Sequence, residues 1–252
     1  MKKITYIDEV EIKNKNILLR VDFNVSLNKD YTISNSARIQ QSLPTINYLL
    51  KNNNRLIIVS HLGRPKKIEE KFSLKVVVDK LKEYLPHLDI FLAKDIEIAK
   101  KRKEKIVVLE NIRFFPKEKD YSTIFAKQLA SLADVYVNDA FGVSHRSDTS
   151  VVGPPRFLPS YGGLLLKKEL QIIIRVLKNP KKPIVAIIGG AKVSTKIGLI
   201  NKLIKFVDYL IIGGGLANTF VCAQGHEIGA SFCEYEANEL KNNNFHIVII
   251  LL

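Results

Sequence analysis

The stretch ILLRVDFNV, residues 17–25, combines a short apolar run with polar residues directly after it. Its first part, Ile17–Val21, has the length and the branched side chains of a buried strand. Four further runs have the same form: Leu56–Val59, Ile90–Leu92, Ile106–Leu109 and Val135–Val137. Longer stretches between these runs carry apolar residues at helical spacing. The alternation predicts an α/β fold with a parallel sheet and crossover helices.

The segment GPPRFLPSYGG, residues 153–163, interrupts this pattern and is predicted to form no regular element. A helix is expected after it, over Leu164–Leu177. A second series of elements follows Pro183, with strands at Ile184–Ile188, Val207–Ile212 and Ile247–Leu251 and helices at Lys192–Lys205 and Ala217–Ala223. The sequence thus predicts two Rossmann-like parallel-sheet domains, residues 1–160 and 179–252, joined by a helix in residues 161–178. The second domain is expected to be incomplete, because the chain ends inside its last strand.

Three residues give local predictions within the first domain. Pro44 lies inside a helical pattern, so we expect a short turn at Arg38–Ser42 and a new helix starting near Pro44, where the missing N–H has no cost. Ser73 and Ser122 precede helical patterns and are predicted to be N-caps.

Composition narrows the class of protein. The 252 residues are 46% hydrophobic and 25% charged, enough for a substantial core. The net charge of +14 fits a solvated lysine-rich face, and a nucleic-acid patch is the less favoured alternative. The two cysteines, Cys222 and Cys233, suggest neither a zinc site nor a disulfide framework. No apolar run has the length of a membrane span or a signal peptide, so we expect a cytoplasmic protein.

Polar side chains recur directly after the predicted strands. Since parallel strands end at one edge of a sheet, these residues should meet at a common rim. They are Asp22, Phe23 and Asn24; His61, Leu62, Gly63 and Arg64; Glu110, Asn111 and Arg113; and Asn138, Asp139, Gly142, His145 and Arg146, with Arg38 close by. Converging guanidinium groups favour a small, multiply charged anion such as a phosphorylated carboxylic acid. The alternative is that each arginine pairs locally; for His61 and His145, anion binding and loop support weigh equally.

Glycines follow the strands of the second half in the same way. Gly189 and Gly190 precede a predicted helix that carries Lys192 and Lys196, four residues apart and therefore expected on one face. Gly213, Gly214 and Gly215 open the next helix. Such turns allow close approach of a base or a phosphate, so nucleotide binding and tight helix–strand packing both remain open.

At these residues the chain resembles the phosphoglycerate kinase family. Seven ordered blocks carry the resemblance: LLRVDFNV at 18–25, SHLGRP at 60–65, LENIRFF at 109–115, NDAFGVSHR at 138–146, LPSY with LLLKKEL at 158–170, AIIGGAKVSTKI at 186–197 and LIIGGGLANTF at 210–220. The resemblance implies transfer of a phosphoryl group between 1,3-bisphosphoglycerate and ADP, giving 3-phosphoglycerate and ATP, by a cytoplasmic glycolytic enzyme that acts as a monomer.

The resemblance also assigns roles. It implies a 3-phosphoglycerate site formed by Asp22, Phe23, Asn24, Arg38, His61, Leu62, Gly63, Arg64, Arg113 and Arg146, and a nucleotide site formed by Gly189, Gly190, Lys192, Lys196, Gly213, Gly214 and Gly215. Arg38 and Lys192 would neutralise charge on the transferred phosphoryl group. Closure about Tyr161–Leu177 would bring the two substrates together.

The length of the sequence adds a further expectation. The family's strands beyond Leu252 carry a ribose-contacting Glu and a GGGD segment that holds Mg²⁺, so Mg²⁺ is expected with ATP or ADP but no protein ligand for it within this chain. Little kinase turnover is therefore expected from these 252 residues. The alternatives are a noncatalytic remnant that only binds 3-phosphoglycerate and a basic nucleic-acid-binding protein.

Overall fold

The computed structural model describes residues 4–234 and 247–249. The described residues fall into two compact units that divide between Ile173 and Ile174. This division lies inside a helix, Leu164–Lys178, which is close to the Leu164–Leu177 predicted from the sequence. The domain limits at residues 160 and 178 stay predictions.

A parallel sheet forms the centre of the first unit. In sheet order its strands are β5 (Ile90–Ala93), β6 (Ile106–Leu109), β4 (Arg55–Val59), β1 (Asn16–Arg20), β7 (Val135–Asn138) and β8 (Ser160–Gly162). The five strands predicted from apolar runs are confirmed, as is their parallel pairing. The prediction that residues 153–163 contain no regular element was wrong, because β8 pairs with β7. Two further short strands, β2 (Ser26–Leu27) and β3 (Ile33–Asn35), form an antiparallel hairpin.

Helices cover both faces of this sheet. They are α1 (Ala37–Lys51), α2 (Lys75–Tyr84), α3 (Ile96–Lys101), α4 (Thr123–Ala130), α5 (Thr149–Val152) and α6 (Leu164–Lys178). Ile17 and Leu19 of β1 join one buried cluster with residues of α1 and α2, whereas Leu18 joins a second cluster with residues of α4. The alternation of side chains along β1 therefore separates two apolar layers, and the strands are buried on both faces.

Pro44 does not interrupt α1, so the predicted turn at Arg38–Ser42 was wrong. The helix is continuous because buried residues on both sides of Pro44, Ile39 and Ile46, pack into the same cluster. Burial of this face outweighs the one backbone hydrogen bond that proline removes. Ser42 Oγ also donates to the carbonyl of Arg38, at 3.1 Å.

The two predicted N-caps had different outcomes. Ser122 is the N-cap of α4, and its hydroxyl accepts from Phe125 N. Ser73 is not the cap of α2, which has Leu74 in that position. The Ser73 hydroxyl instead donates to Glu110 Oε2 at 2.7 Å and accepts from Lys75 N at 3.1 Å. A partner distant in sequence thus moved the start of α2 by one residue.

The second unit contains a smaller parallel sheet. Its strands are, in sheet order, β11 (Ile247–Ile249), β10 (Tyr209–Gly213) and β9 (Val185–Gly189). Helices α7 (Ile197–Ile204) and α8 (Gly215–Ala223) follow β9 and β10. Ile188, Ile212 and Phe220 lie in its buried cluster. The three predicted strands are confirmed, except that residues 250–251 lie outside the described part of the chain.

Within the described residues, no helix combines the length and the apolar character needed to cross a bilayer.

Candidate functional site: an arginine-rich rim

The loops after β1, β4, β6 and β7 meet at one end of the first sheet, as predicted. Phe23 N donates to Ser60 Oγ at 2.8 Å, which joins the loops after β1 and β4. Ile112 N donates to the carbonyl of Ser60 at 3.0 Å, and Asp139 N to the carbonyl of Arg20 at 2.8 Å. These bonds hold four loops, far apart in sequence, against one another. Phe23 itself is fully buried and serves as part of the core.

The loop after β1 presents an acidic and an amide side chain. The carboxylate of Asp22 forms an ion pair with Arg38 Nη1 and accepts from Asn24 N at 3.1 Å. Asn24 Oδ1 accepts from Gly63 N at 2.8 Å. Arg38 is half exposed, so its charge faces the solvent side of the rim. This loop therefore orients Arg38 and links it to the loop after β4.

His61 lies beneath the rim and is only 3% exposed. Burial, together with the charges of Arg20, Arg113, Arg146 and Arg38, lowers the pKa of this imidazole to about 2. His61 is therefore neutral at physiological pH, and its Nδ1 has no hydrogen-bond partner among the described residues. Four arginine charges thus act on one small volume.

Arg113 and Arg146 project from the loops after β6 and β7. Arg113 Nη1 donates to the carbonyl of Gly63, and burial together with the charge of Arg146 lowers the pKa of Arg113. Arg146 Nε is buried and has no acceptor in the part of the chain that the structure describes. A buried guanidinium donor without a partner is costly, so a bound anion would stabilise it.

Leu62, Gly63 and Arg64 form the loop after β4. Leu62 is buried, and its backbone forms two hydrogen bonds with the Asn111 side chain. Leu62 N donates to Asn111 Oδ1 at 3.3 Å, and the Leu62 carbonyl accepts from Asn111 Nδ2 at 2.8 Å. Gly63 has φ +62°, and a Cβ there would lie 2.4 Å from the Phe72 ring. Arg64 is exposed. The backbone of this loop is fixed, whereas the Arg64 side chain is directed to solvent.

A cleft of about 250 Å³ opens beside the Asp22–Arg38 pair. Sequence reasoning missed two of its polar lining residues, Gln41 of α1 and Glu169 of α6. Burial and the nearby Asp22 carboxylate raise the pKa of Glu169.

Asp139, also in the lining of this cleft, is fully buried, and its Oδ1 accepts from Leu165 N at 3.0 Å and Leu166 N at 3.1 Å. Asp139 therefore connects the loop after β7 to the start of α6.

Arg20 was also missed as a site residue. It is the last residue of β1, is 1% exposed, and lies among the charges that act on His61. An arginine inside an otherwise apolar strand, as in LLRVD, is a detectable signal because buried charged side chains are rare. The sequence alone gave no indication of which groups would pair with it.

In the second unit, the two glycine turns lie side by side. Gly189 and Gly213 are paired at the ends of β9 and β10. Leu216 N donates to the carbonyl of Gly190 at 2.8 Å. Gly214 has φ +65° and is the N-cap of α8, and a Cβ on Gly215 would lie 3.1 Å from Ala191 Cα. Gly214 thus requires glycine for its positive φ and Gly215 favours it for close packing, which does not exclude a ligand.

The predicted helix at Lys192–Lys205 begins only at Ile197, so Lys192 and Lys196 do not share a helical face. In the preceding loop, one side chain bonds the local backbone and one serine bonds a distant carboxylate instead. Thr195 Oγ1 donates to the carbonyl of Lys192 at 3.1 Å, and Ser194 N and Oγ both donate to the Glu234 carboxylate. Such bonds compete with helix formation. Lys196 is the N-cap residue of α7, and its Nζ lies close to the Gly190 turn, at 2.8 Å from the position that a Cβ on Gly190 would take. Lys192 is exposed.

Residues 4–234 and 247–249 contain no group of three or more His, Cys, Asp or Glu side chains that could hold a metal ion.

Comparison with known proteins relates this geometry to a family. A family model described as phosphoglycerate kinase matches residues 7–246. A phosphoglycerate kinase of Desulforudis audaxviator is 46% identical over 240 residues, covering 92% of this chain and 61% of the relative. A cytosolic phosphoglycerate kinase of Arabidopsis thaliana is 42% identical over 247 residues, covering 95% of this chain and 61% of the relative.

A solved phosphoglycerate kinase of Coxiella burnetii superimposes with a TM-score of 0.80 at 36% identity, covering 97% of this chain and 65% of the solved one. The chain therefore spans about 61% of the length of the curated relatives that it matches. On the family model, the sequence identity and the fold together, the chain belongs to the phosphoglycerate kinase family.

Proposed function

We propose that this protein takes part in the phosphoglycerate kinase reaction, in which 1,3-bisphosphoglycerate and ADP give 3-phosphoglycerate and ATP, and that its first unit binds the glycerate. One observation carries the proposal: four arginine charges act on the buried neutral His61, and one of them, Arg146, has a buried donor without an acceptor in the described residues. A phosphate and a carboxylate on one small molecule supply the acceptors and the negative charge that such a rim favours.

The glycerate site in this proposal consists of the rim residues. They are Asp22, Phe23, Asn24, Arg38, His61, Leu62, Gly63, Arg64, Arg113 and Arg146. The half-exposed Arg38 would act on the acyl phosphate, whereas the more buried Arg113 and Arg146 would orient the glycerate. Phe23 and Leu62 would contribute through their backbones, since their side chains are buried in the core.

The chemistry needs no general base, because the attacking phosphate oxygen and the leaving carboxylate are both already anionic. Catalysis then depends on alignment and on neutralising charge around the transferred phosphoryl group. We assign that neutralisation to Arg38 and Lys192. The nucleotide would be held by Lys192, Lys196 and the glycines of the two turns: Gly189, Gly190, Gly213, Gly214 and Gly215.

Mg²⁺ is proposed to arrive with the nucleotide. In the described part of the chain no acidic or histidine cluster fits a protein-bound metal, so no step of this proposal passes through such a site. A cytosolic location is proposed because several relatives are named as cytosolic forms, although another is named as chloroplastic. The monomeric state predicted from the resemblance remains a prediction.

Calorimetric titration of the full chain with 3-phosphoglycerate tests the glycerate site. We expect binding to the wild-type chain and a loss of at least about ten-fold in affinity for Arg146→Ala, because a charge-assisted bidentate contact contributes about 1–3 kcal/mol. Arg156→Ala is the matched control. Arg156 is an exposed arginine of the same unit that stacks on Tyr121, 4.4 Å from the ring centre, and it is not among the charges acting on His61. Equal affinity for the wild type, Arg146→Ala and Arg156→Ala would refute the assignment.

A further inference from the structure

Glu118 is a buried carboxylate to which the reaction above gives no role. It is 1% exposed and lies between β6 and α4. Its Oε2 accepts from Ser150 N at 2.9 Å, and its Oε1 accepts from Ser150 Oγ at 2.6 Å. Both carboxylate oxygens are thus directed at one residue of α5.

Ser150 connects this carboxylate to the arginine beneath the rim. Its Oγ accepts from Arg20 Nε at 3.0 Å while donating to Glu118. A single hydroxyl therefore bridges a buried guanidinium and a buried carboxylate. Because the hydroxyl has only one proton, the negative charge of Glu118 fixes the direction of both bonds.

The backbone around Glu118 reinforces the contact with α5. The Glu118 carbonyl accepts from Thr149 N at 2.7 Å. Thr149 Oγ1 donates to the carbonyl of Lys117 at 2.6 Å, and Tyr136 Oη donates to the carbonyl of Ser150 at 3.0 Å. The first turn of α5 is thus held from two sides, only three residues after Arg146.

Charges complete the connection to the rim. Burial lowers the pKa of His61 most, and among the arginine charges that lower it further, Arg20 has the largest effect. Burial raises the pKa of Glu118 to about 7, with Ser150 and Arg20 acting in the opposite direction and Asp148 in the same one. The other charged or titratable groups facing this cluster are Arg113 and the phenol of Tyr136.

We propose that Glu118 is a positioning residue of the glycerate site: bonded through Ser150, its carboxylate fixes the Arg20 guanidinium, whose charge acts on His61, and anchors the start of α5, and with it the adjoining loop that carries Arg146. Glu118 does not itself touch the ligand. The inference rests on the proposed function of the rim. It predicts that affinity for the glycerate depends on the ionisation of a residue outside the binding surface.

The test compares 3-phosphoglycerate affinity of the full chain, by calorimetry at pH 6, 7 and 8, for the wild type, Glu118→Gln, Ser150→Ala and the double variant. At pH 8 each single variant should bind at least five-fold more weakly than the wild type. The double variant should be little worse than either, because the two side chains act through one relay. The ratio between wild type and Glu118→Gln should shrink toward pH 6, where the wild-type carboxyl is protonated as well. The ligand's own phosphate also titrates in this range, and its effect on affinity cancels in the ratio because it is the same for both proteins.

Glu97→Gln is the control, because Glu97 is an exposed carboxylate of the same unit that pairs with Lys100. It should bind like the wild type at every pH. If the wild type binds 3-phosphoglycerate and Glu118→Gln matches it at every pH, or loses thermal stability without losing affinity, the inference is overturned while the proposed function stands. If Glu118→Gln does not fold, wild-type affinity in Ser150→Ala overturns it equally. If the wild type itself does not bind, both the proposed function and this inference fail.

Discussion

Replacing Gly163 by alanine should destabilise the first unit strongly. Gly163 lies just before α6, and a Cβ at this position would be 2.1 Å from Asp139 Oδ1 and 2.4 Å from Asp139 Cγ. Ordinary contacts between such atoms are well over 3 Å, so either the Asp139 side chain or the start of α6 must move by about 1 Å. Asp139 has little freedom to do so, because it is fully buried and accepts from Leu165 N and Leu166 N.

The magnitude follows from these contacts. Overpacking in a core costs about 1–3 kcal/mol. Weakening the carboxylate cap on α6 costs about 1–2 kcal/mol more. We therefore expect the free energy of unfolding to fall by about 2–5 kcal/mol, and Tm to fall by about 4–20 °C for a unit of this size.

Urea and thermal unfolding followed by far-UV circular dichroism measure both quantities. The double variant Asp139→Ala, Gly163→Ala provides the internal check, because removing the carboxylate removes the obstacle. The cost of Gly163→Ala should be much smaller in the Asp139→Ala background than in the wild type. A Gly163→Ala protein whose Tm lies within about 2 °C of the wild type would refute the argument.

Two further changes test other parts of the structure. The neutral His61 should make stability fall on acidification: its pKa lies near 2 when folded, so below the ordinary value of 6.5 only the unfolded state takes up the proton. Between pH 7 and pH 5 this proton uptake lowers the free energy of unfolding by about 2 kcal/mol, and a His61→Gln variant should lose correspondingly less over that range. If urea unfolding shows the same dependence of this free energy on pH in both proteins, the assignment is contradicted. Gly198→Ala, in α7, should stabilise the second unit by about 0.5–1 kcal/mol, since a Cβ there meets nothing within 4 Å and Ala favours helix; a lower Tm would contradict it.

The rim could be predicted from the sequence because its residues occupy a fixed topological position. Apolar runs such as Ile106–Leu109 identify strands, and parallel strands must end at one edge, so Asp22, His61 and Arg146 could be grouped without knowledge of any side-chain contact. The predicted grouping agrees with the loop-to-loop hydrogen bonds from Phe23 and Asp139.

The remaining errors come from interactions between residues distant in sequence. Pro44 remains helical because Ile39 and Ile46 pack into one core with strand β1, and the loop before α7 extends to Lys196 because Ser194 bonds Glu234. Neither partner is visible in a local window. Likewise, the role proposed for Glu118 depends on a serine 32 positions away.

The central position of β1 has a consequence for how the chain is made. Ile17 pairs with Leu56 on one side and with Val135 on the other. Synthesis proceeds at roughly 5–20 residues per second, so one edge of this apolar strand stays unpaired for on the order of ten seconds, until β7 has been synthesised. During that interval the unpaired strand edge is available for association with other chains, so aggregation of the nascent protein is expected to increase with its concentration. Because Arg146 follows β7, a nascent chain acquires the complete arginine rim only after this edge can be covered.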